Sequence, residues 1–162
     1  MTADGIVIDE QTNTLTIARH YRAPAGRVWT AWTDPDAVAR WWGPHGWTTT
    51  VERMDVRPGG QWRFSMAPDD GSADPVHIVV TYREVRPHEQ LRYVDQFAAA
   101  DWTVTGDGVL TDVAFTADDT GTRVTVTAAF ADRDALQQAV ALGMADGYQE
   151  ALARLGTVVD TH

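Results

Sequence analysis

Alternation of apolar and polar residues at period two dominates the middle of the chain. From Trp47 to Ala131 it forms six runs: Trp47–Val56, Gln61–Met66, Val76–Val85, Leu91–Phe97, Gly108–Thr116 and Thr122–Phe130. Each is long enough for a half-buried strand. The separators Arg57-Pro58-Gly59-Gly60, Pro68-Asp69-Asp70-Gly71, Arg86-Pro87-His88-Glu89 and Asp118-Asp119-Thr120-Gly121 carry the Gly, Pro and Asp that tight reversals need. Short connections join antiparallel neighbours, so the runs predict a meander. Ala98–Gly106, with Trp102, reads equally as strand or loop.

The flanks read differently. Leu15–Arg22 alternates and is rich in β-formers, which predicts a strand. Pro24 can open a helix on which Val28, Trp29 and Trp32 form one stripe, and Asp34-Pro35 supplies an N-cap and first turn for a second short helix. That helix runs to Arg40 or Trp41, and Gly43-Pro44 ends it. From Asp134 to about Val159 the spacing becomes helical, with Asp132 or Asp134 as cap and Leu136, Val140, Met144, Tyr148, Leu152 and Leu155 on one face. Gly143 and Gly147 interrupt this long helix, each costing about 1 kcal/mol relative to alanine. They permit either close packing, the commoner reason, or space for a ligand beside Met144 and Tyr148. Met1–Gly5 is expected to fray.

An antiparallel sheet with one apolar face needs a cover, and the C-terminal helix provides it. The expected class is therefore α+β: a helix-grip fold, with a curved antiparallel sheet wrapped around a long C-terminal helix and two short helices closing one end. Residues 1–162 read as one domain.

Charge narrows the functional classes. The net charge is -10, and with no lysine every basic side chain other than histidine is arginine. Such a surface repels phosphate backbones and anionic headgroups, so neither nucleic acid nor membrane is an expected partner. The chain has no cysteine, which removes disulfides, thiolate metal sites and cysteine nucleophiles. No apolar run approaches the ~20 residues of a membrane span, and Met1–Asp9 lacks the pattern of a secretory signal. A cytoplasmic location is expected.

The segments "ARHYRAPAGRVWTAWTDPDAVARWWGP", "MDVRPGGQWRF", "YREVRPHEQLRY", "GTRVTVTAAF" and "GMADGYQEALARL" together resemble the Activator of Hsp90 ATPase homologue 1-like family, within the START/polyketide-cyclase/Bet v 1-like superfamily. The resemblance covers roughly residues 14 to 159. It implies a cavity between sheet and C-terminal helix, of the kind that holds lipids, polyketides or other hydrophobic molecules. Eukaryotic relatives that bind Hsp90 usually carry an additional N-terminal domain for which this chain has no room, so Hsp90 is not an expected partner. Bacterial origin is the natural expectation; oligomeric state is open, a homodimer included.

Aromatic residues then become candidates for that cavity. Alternation puts Trp62, Phe64 and Met66, or their neighbours, on the inner face, with Tyr82, Tyr93, Phe97 and Phe115 as further candidates. Trp41 and Trp42 sit where the second short helix would close the grip; one could face inward and the other the rim. Met144 and Tyr148 would face the cavity from the C-terminal helix. Such rings either fill core or line a pocket, and collectively they favour a pocket.

Among polar residues, His77, Tyr82, Tyr93, Arg63, Glu84, Gln96 and Tyr148 could orient a guest, although alternation sends about half of them outward. His77, Tyr82, Tyr93 and Tyr148 are the inner groups an enzyme of the cyclase or hydrolase kind would use. The histidines lack ligand spacing, so no metal is expected. Neither Ser65 nor Ser72 lies in a nucleophile motif, no Gly-rich phosphate loop is present, and no cofactor or catalytic constellation is implied. The leading expectation is binding of a hydrophobic small molecule; the alternatives are an enzyme acting on such a guest and a stress-related interaction module.

Overall fold

The computed structural model describes residues 5–43 and 45–160. Its elements are β1 (Gly5–Asp9), β2 (Thr14–Tyr21), α1 (Ala25–Thr33), α2 (Pro35–Trp41), β3 (Trp47–Met54), β4 (Gln61–Pro68), β5 (Val76–Arg86), β6 (Gln90–Ala98), β7 (Val109–Asp118), β8 (Gly121–Ala129), α3 (Arg133–Ala141) and α4 (Met144–Val159). Eight strands form one antiparallel sheet in the order β1-β2-β8-β7-β6-β5-β4-β3. This is the helix-grip arrangement read from the sequence: a meander from β3 to β8, extended at one side by the N-terminal strands.

Register decides what the sheet presents inward. Trp62 pairs with Val80, Phe64 with Ile78 and Met66 with Val76; across the next ladder Ile78 meets Phe97, Val80 meets Asp95 and Tyr82 meets Tyr93. Directly opposed residues share a face, so these side chains form one inner surface. Breaks in register at Val51/Arg53 and Tyr82/Glu84 add local twist, which helps the sheet curve.

The short helices obey the signals in their sequence. Val28, Ala31 and Trp32 are the buried stripe of α1. The Asp34 carboxylate accepts from the Ala37 N–H at 3.2 Å, with Pro35 in the first turn of α2. Helix α4 packs chiefly against α2, α1, α3 and β2, rather than lying flat on the middle of the sheet. The buried Tyr21 hydroxyl donates to the Leu152 carbonyl at 2.7 Å and joins β2 to α4. Tyr21→Phe would remove this tie while the Leu152 carbonyl keeps its helical partner within α4, and should lower stability by about 1 kcal/mol, measurable by urea unfolding.

Two expectations need correction. Of Met1–Gly5, expected to fray, Gly5 opens a strand, Gly5–Asp9, that is absent from the expected elements: it pairs with β2 through a turn in which Asp9 Oδ1 accepts from the Gln11 N–H at 2.9 Å. Met1–Asp4 lie outside the described residues. The C-terminal helix is also two helices. Asp132 caps α3 by accepting from the Ala135 N–H at 2.8 Å, and Gly143, at φ 87°, stops it and starts α4. Only glycine adopts that conformation without strain, so its place was a helix end and not a helix interior.

The open stretch after β6 is a loop. It folds back through a single bridge between Ala98 and Val104, with Trp102 at φ 71°.

Candidate functional site

Because α4 leans on one side of the grip, a cavity of about 600 Å³ lies between α4 and the strands β4 to β7. Phe64 and Met66 from β4, Val76, Ile78 and Val80 from β5, Tyr93 from β6 and Val109 from β7 line the sheet side. Met144, Gly147, Tyr148 and Ala151 line the helix side, and Trp42 and Trp47 close one end. Phe97 and Leu142 also line it, yet are 60% and 87% exposed, so they mark an open, apolar mouth.

The adjacent tryptophans separate because the helix ends between them. Trp41 is the last residue of α2; its ring is fully buried, and its Nε1–H donates to the Ala31 carbonyl at 2.9 Å. Trp42 is already extended, at φ -70° and ψ 139°, and its carbonyl accepts from the Thr49 hydroxyl at 2.7 Å. Its ring therefore turns to the cavity. There it meets Trp62, Phe64 and Tyr148 edge-on, with centroids 4.9, 5.8 and 5.9 Å away. Edge-to-face contacts of this kind hold a ring in a fixed orientation. Pro44, read as part of the stop after α2, lies outside the described residues.

The other candidates divide by location. Trp42, Phe64, Met66, Tyr93, Phe97, Met144 and Tyr148 come together around the cavity, whereas Trp41, Trp62, Tyr82 and Phe115 are core residues that do not line it. Trp62 stacks on Phe64 at 4.4 Å, while Phe115 packs against Trp29 and Trp32. His77 is placed differently from all of these. It falls between Val76 and Ile78 in β5, so the pleat turns it to the opposite face, where its ring meets Trp102 at 5.0 Å.

Gly147 and Gly143 show no close packing: a Cβ added to either would meet nothing within 4 Å. At these positions the missing side chains leave space beside Met144 and Tyr148.

Asp95, which the list of polar candidates omits, is the group of most chemical interest. It lines the cavity between Tyr93 and Phe97, at the alternate position that both rings predict to be inward. That periodicity was the available signal, obscured by an acid standing where the pattern calls for an apolar residue. Burial raises its pKa to about 6, opposed by the hydrogen bond it accepts from the Thr111 hydroxyl at 2.9 Å. Burial also raises the pKa values of Tyr93 and Tyr148, with the Asp95 charge adding to both. The Tyr148 hydroxyl is an electrostatic neighbour of Tyr93, but Tyr93 Oη has no partner at ordinary hydrogen-bond length among the described residues.

Among the described residues no group of three or more His, Asp or Glu could hold a metal ion. No helix there is long and apolar enough to cross a membrane.

A model of the family described as "Activator of Hsp90 ATPase homolog 1-like protein" matches residues 22–160. The chain belongs to this family. Among solved structures, protein Ms6760 from Mycobacterium smegmatis is 30% identical, with a TM-score of 0.87 and 98% of each chain covered. An AHSA1-like protein from Aeromonas hydrophila is 31% identical with a TM-score of 0.67, covering 92% of this chain and 98% of its own. A protein from Arthrobacter aurescens has a TM-score of 0.89 at 24% identity, over 97% of this chain and 91% of its own, a likeness of fold. Among curated proteins, none matches the chain.

Proposed function

We propose that this AHSA1-like protein binds a hydrophobic small molecule in the cavity between its sheet and α4. The observation that carries the reading is the cavity itself: about 600 Å³, mostly aromatic and aliphatic, with few polar groups inside. That is the ordinary constitution of a small-molecule site. Apolar burial would drive binding at about 25 cal/mol per Å² removed from water, and Asp95 and Tyr93 would orient the guest. The family's helix-grip fold, which commonly holds hydrophobic ligands, supports the same reading.

Titration with the neutral fluorophore N-phenyl-1-naphthylamine should give a saturable rise in its emission, with one site per chain. A strictly linear, non-saturating response would count against the proposal.

A second reading, an enzyme acting on the guest, is favoured by Asp95 alone. A carboxyl with a pKa near 6 beside two tyrosine hydroxyls can exchange a proton with a bound molecule at neutral pH. Of the four groups first considered for this role, Tyr93 and Tyr148 line the cavity and His77 and Tyr82 do not. Mass spectrometry of a bound guest recovered after long incubation would separate the readings, since an unaltered guest contradicts turnover.

A further inference from the structure

Charge in the cavity is of one sign. Asp95 stands within it, and the exposed Asp107, Asp146 and Glu150 also contribute to its lining. Among the described residues no arginine or histidine lines it, although the chain has 13 arginines. Arg154, near the wall at Gly43, turns its guanidinium onto the carbonyls of Arg40 and Gly43, at 2.9 and 3.2 Å.

Asp95 takes a hydrogen bond from Thr111, and no cation contributes to its environment. Near it is Tyr93, in a side chain only 1% exposed, whose Oη has Tyr148 as an electrostatic neighbour but no partner at ordinary hydrogen-bond length among the described residues. A wholly apolar guest would leave that carboxylate and hydroxyl without a ligand contact. A carboxylate guest would face four like charges. An ammonium group matches every one of these features. Its N–H bonds can be donated to Asp95 and to Tyr93 Oη, and Trp42 and Tyr148, whose ring type attracts cations, line the same cavity.

Resting on the reading of the cavity as a small-molecule site, we infer that its ligand class is an apolar molecule carrying one protonated amine, received by Asp95. Apolar walls take the body of such a guest, and the acidic rim raises its local concentration at the mouth.

Isothermal titration calorimetry at pH 7.5 with three probes of nearly equal shape tests this: 1-naphthylmethylamine, 1-naphthylmethanol and 1-naphthoate. The amine should bind at least ~10-fold tighter than the alcohol, a factor worth about 1.4 kcal/mol, and the carboxylate most weakly. In Asp95→Asn the amine-to-alcohol ratio should fall to near one. An amine no tighter than the alcohol, or an advantage that survives in Asp95→Asn, overturns the inference. If the alcohol binds without any amine preference, the cavity reading stands and this inference alone fails. No binding of any of the three overturns both.

Discussion

Asp95→Asn is expected to stabilise the protein at pH 8 by about 3 kcal/mol, and to have little effect at pH 4. The sign follows from burial. The folded pKa of Asp95 is about 6, against an ordinary value of 3.8, so folding favours the protonated form. The stability this group allows is fully present below about pH 4. It is lost as the pH rises through 6 and a charge must exist in an apolar cavity. Asparagine keeps an acceptor for the Thr111 hydroxyl and never ionises. For a chain of this size the gain at pH 8 corresponds to roughly 6–12 °C in Tm. Thermal unfolding of both proteins from pH 4 to 8 measures it directly, and parallel curves for the two would contradict the burial of this charge. A residue that weakens the fold at neutral pH while facing a cavity is the pattern expected where function, not stability, selects the side chain.

Gly147→Phe should reduce binding of N-phenyl-1-naphthylamine by at least ~10-fold without unfolding the protein. Gly147 lies within α4 and lines the cavity, and a Cβ there meets nothing within 4 Å. The new ring has room, and the room it takes is the ligand's. Replacing glycine inside a helix also improves helix propensity, so Gly147→Ala should gain up to ~1 kcal/mol in urea unfolding. Loss of binding together with retained stability separates a blocked cavity from a damaged fold. Unchanged probe affinity in Gly147→Phe would mean that the probe sits elsewhere.

Local signals made most of the architecture legible. Turn residues at each reversal, Asp34-Pro35 at the head of α2 and period-two alternation through the meander are all properties of short segments. The features not read from the chain depend on longer-range partners. β1 has exposed Val7 and Ile8 and acquires its strand character by pairing with β2, although Ile6-Val7-Ile8 before Asp9 was a usable hint. The break at Gly143 is ambiguous in sequence because the helical stripe continues across it, from Val140 to Met144.

The site is harder to read for a related reason. Apolar alternation locates the inner face but does not say where that face is filled and where it is empty. Trp41 and Trp42 are alike in composition; only the end of α2 between them makes one core and the other wall. Strand parity places both His77, a candidate for the inner face, and Asp95, which was not a candidate. Phe64 pairs with Ile78 and Val80 with Asp95, which turns His77 outward and brings the acid inside. The bracketing of Asp95 by Tyr93 and Phe97 carried this information; an acid at an inner position reads as an interruption of the pattern rather than as a member of it.

The seven tryptophans offer the most direct test that the space between sheet and α4 is a binding site. The measurement is a 1H–15N correlation spectrum followed through titration with 1-naphthylmethanol. Saturable shifts are predicted for the indole N–H signals of Trp42 and Trp47 and for the amides of Gly143 and Gly147, all of which line the cavity. The indole of Trp102, on the outer face against His77, should stay in place. Shifts gathered around Trp102 and His77, or no saturable shift at Trp42 and Gly147, would contradict the account.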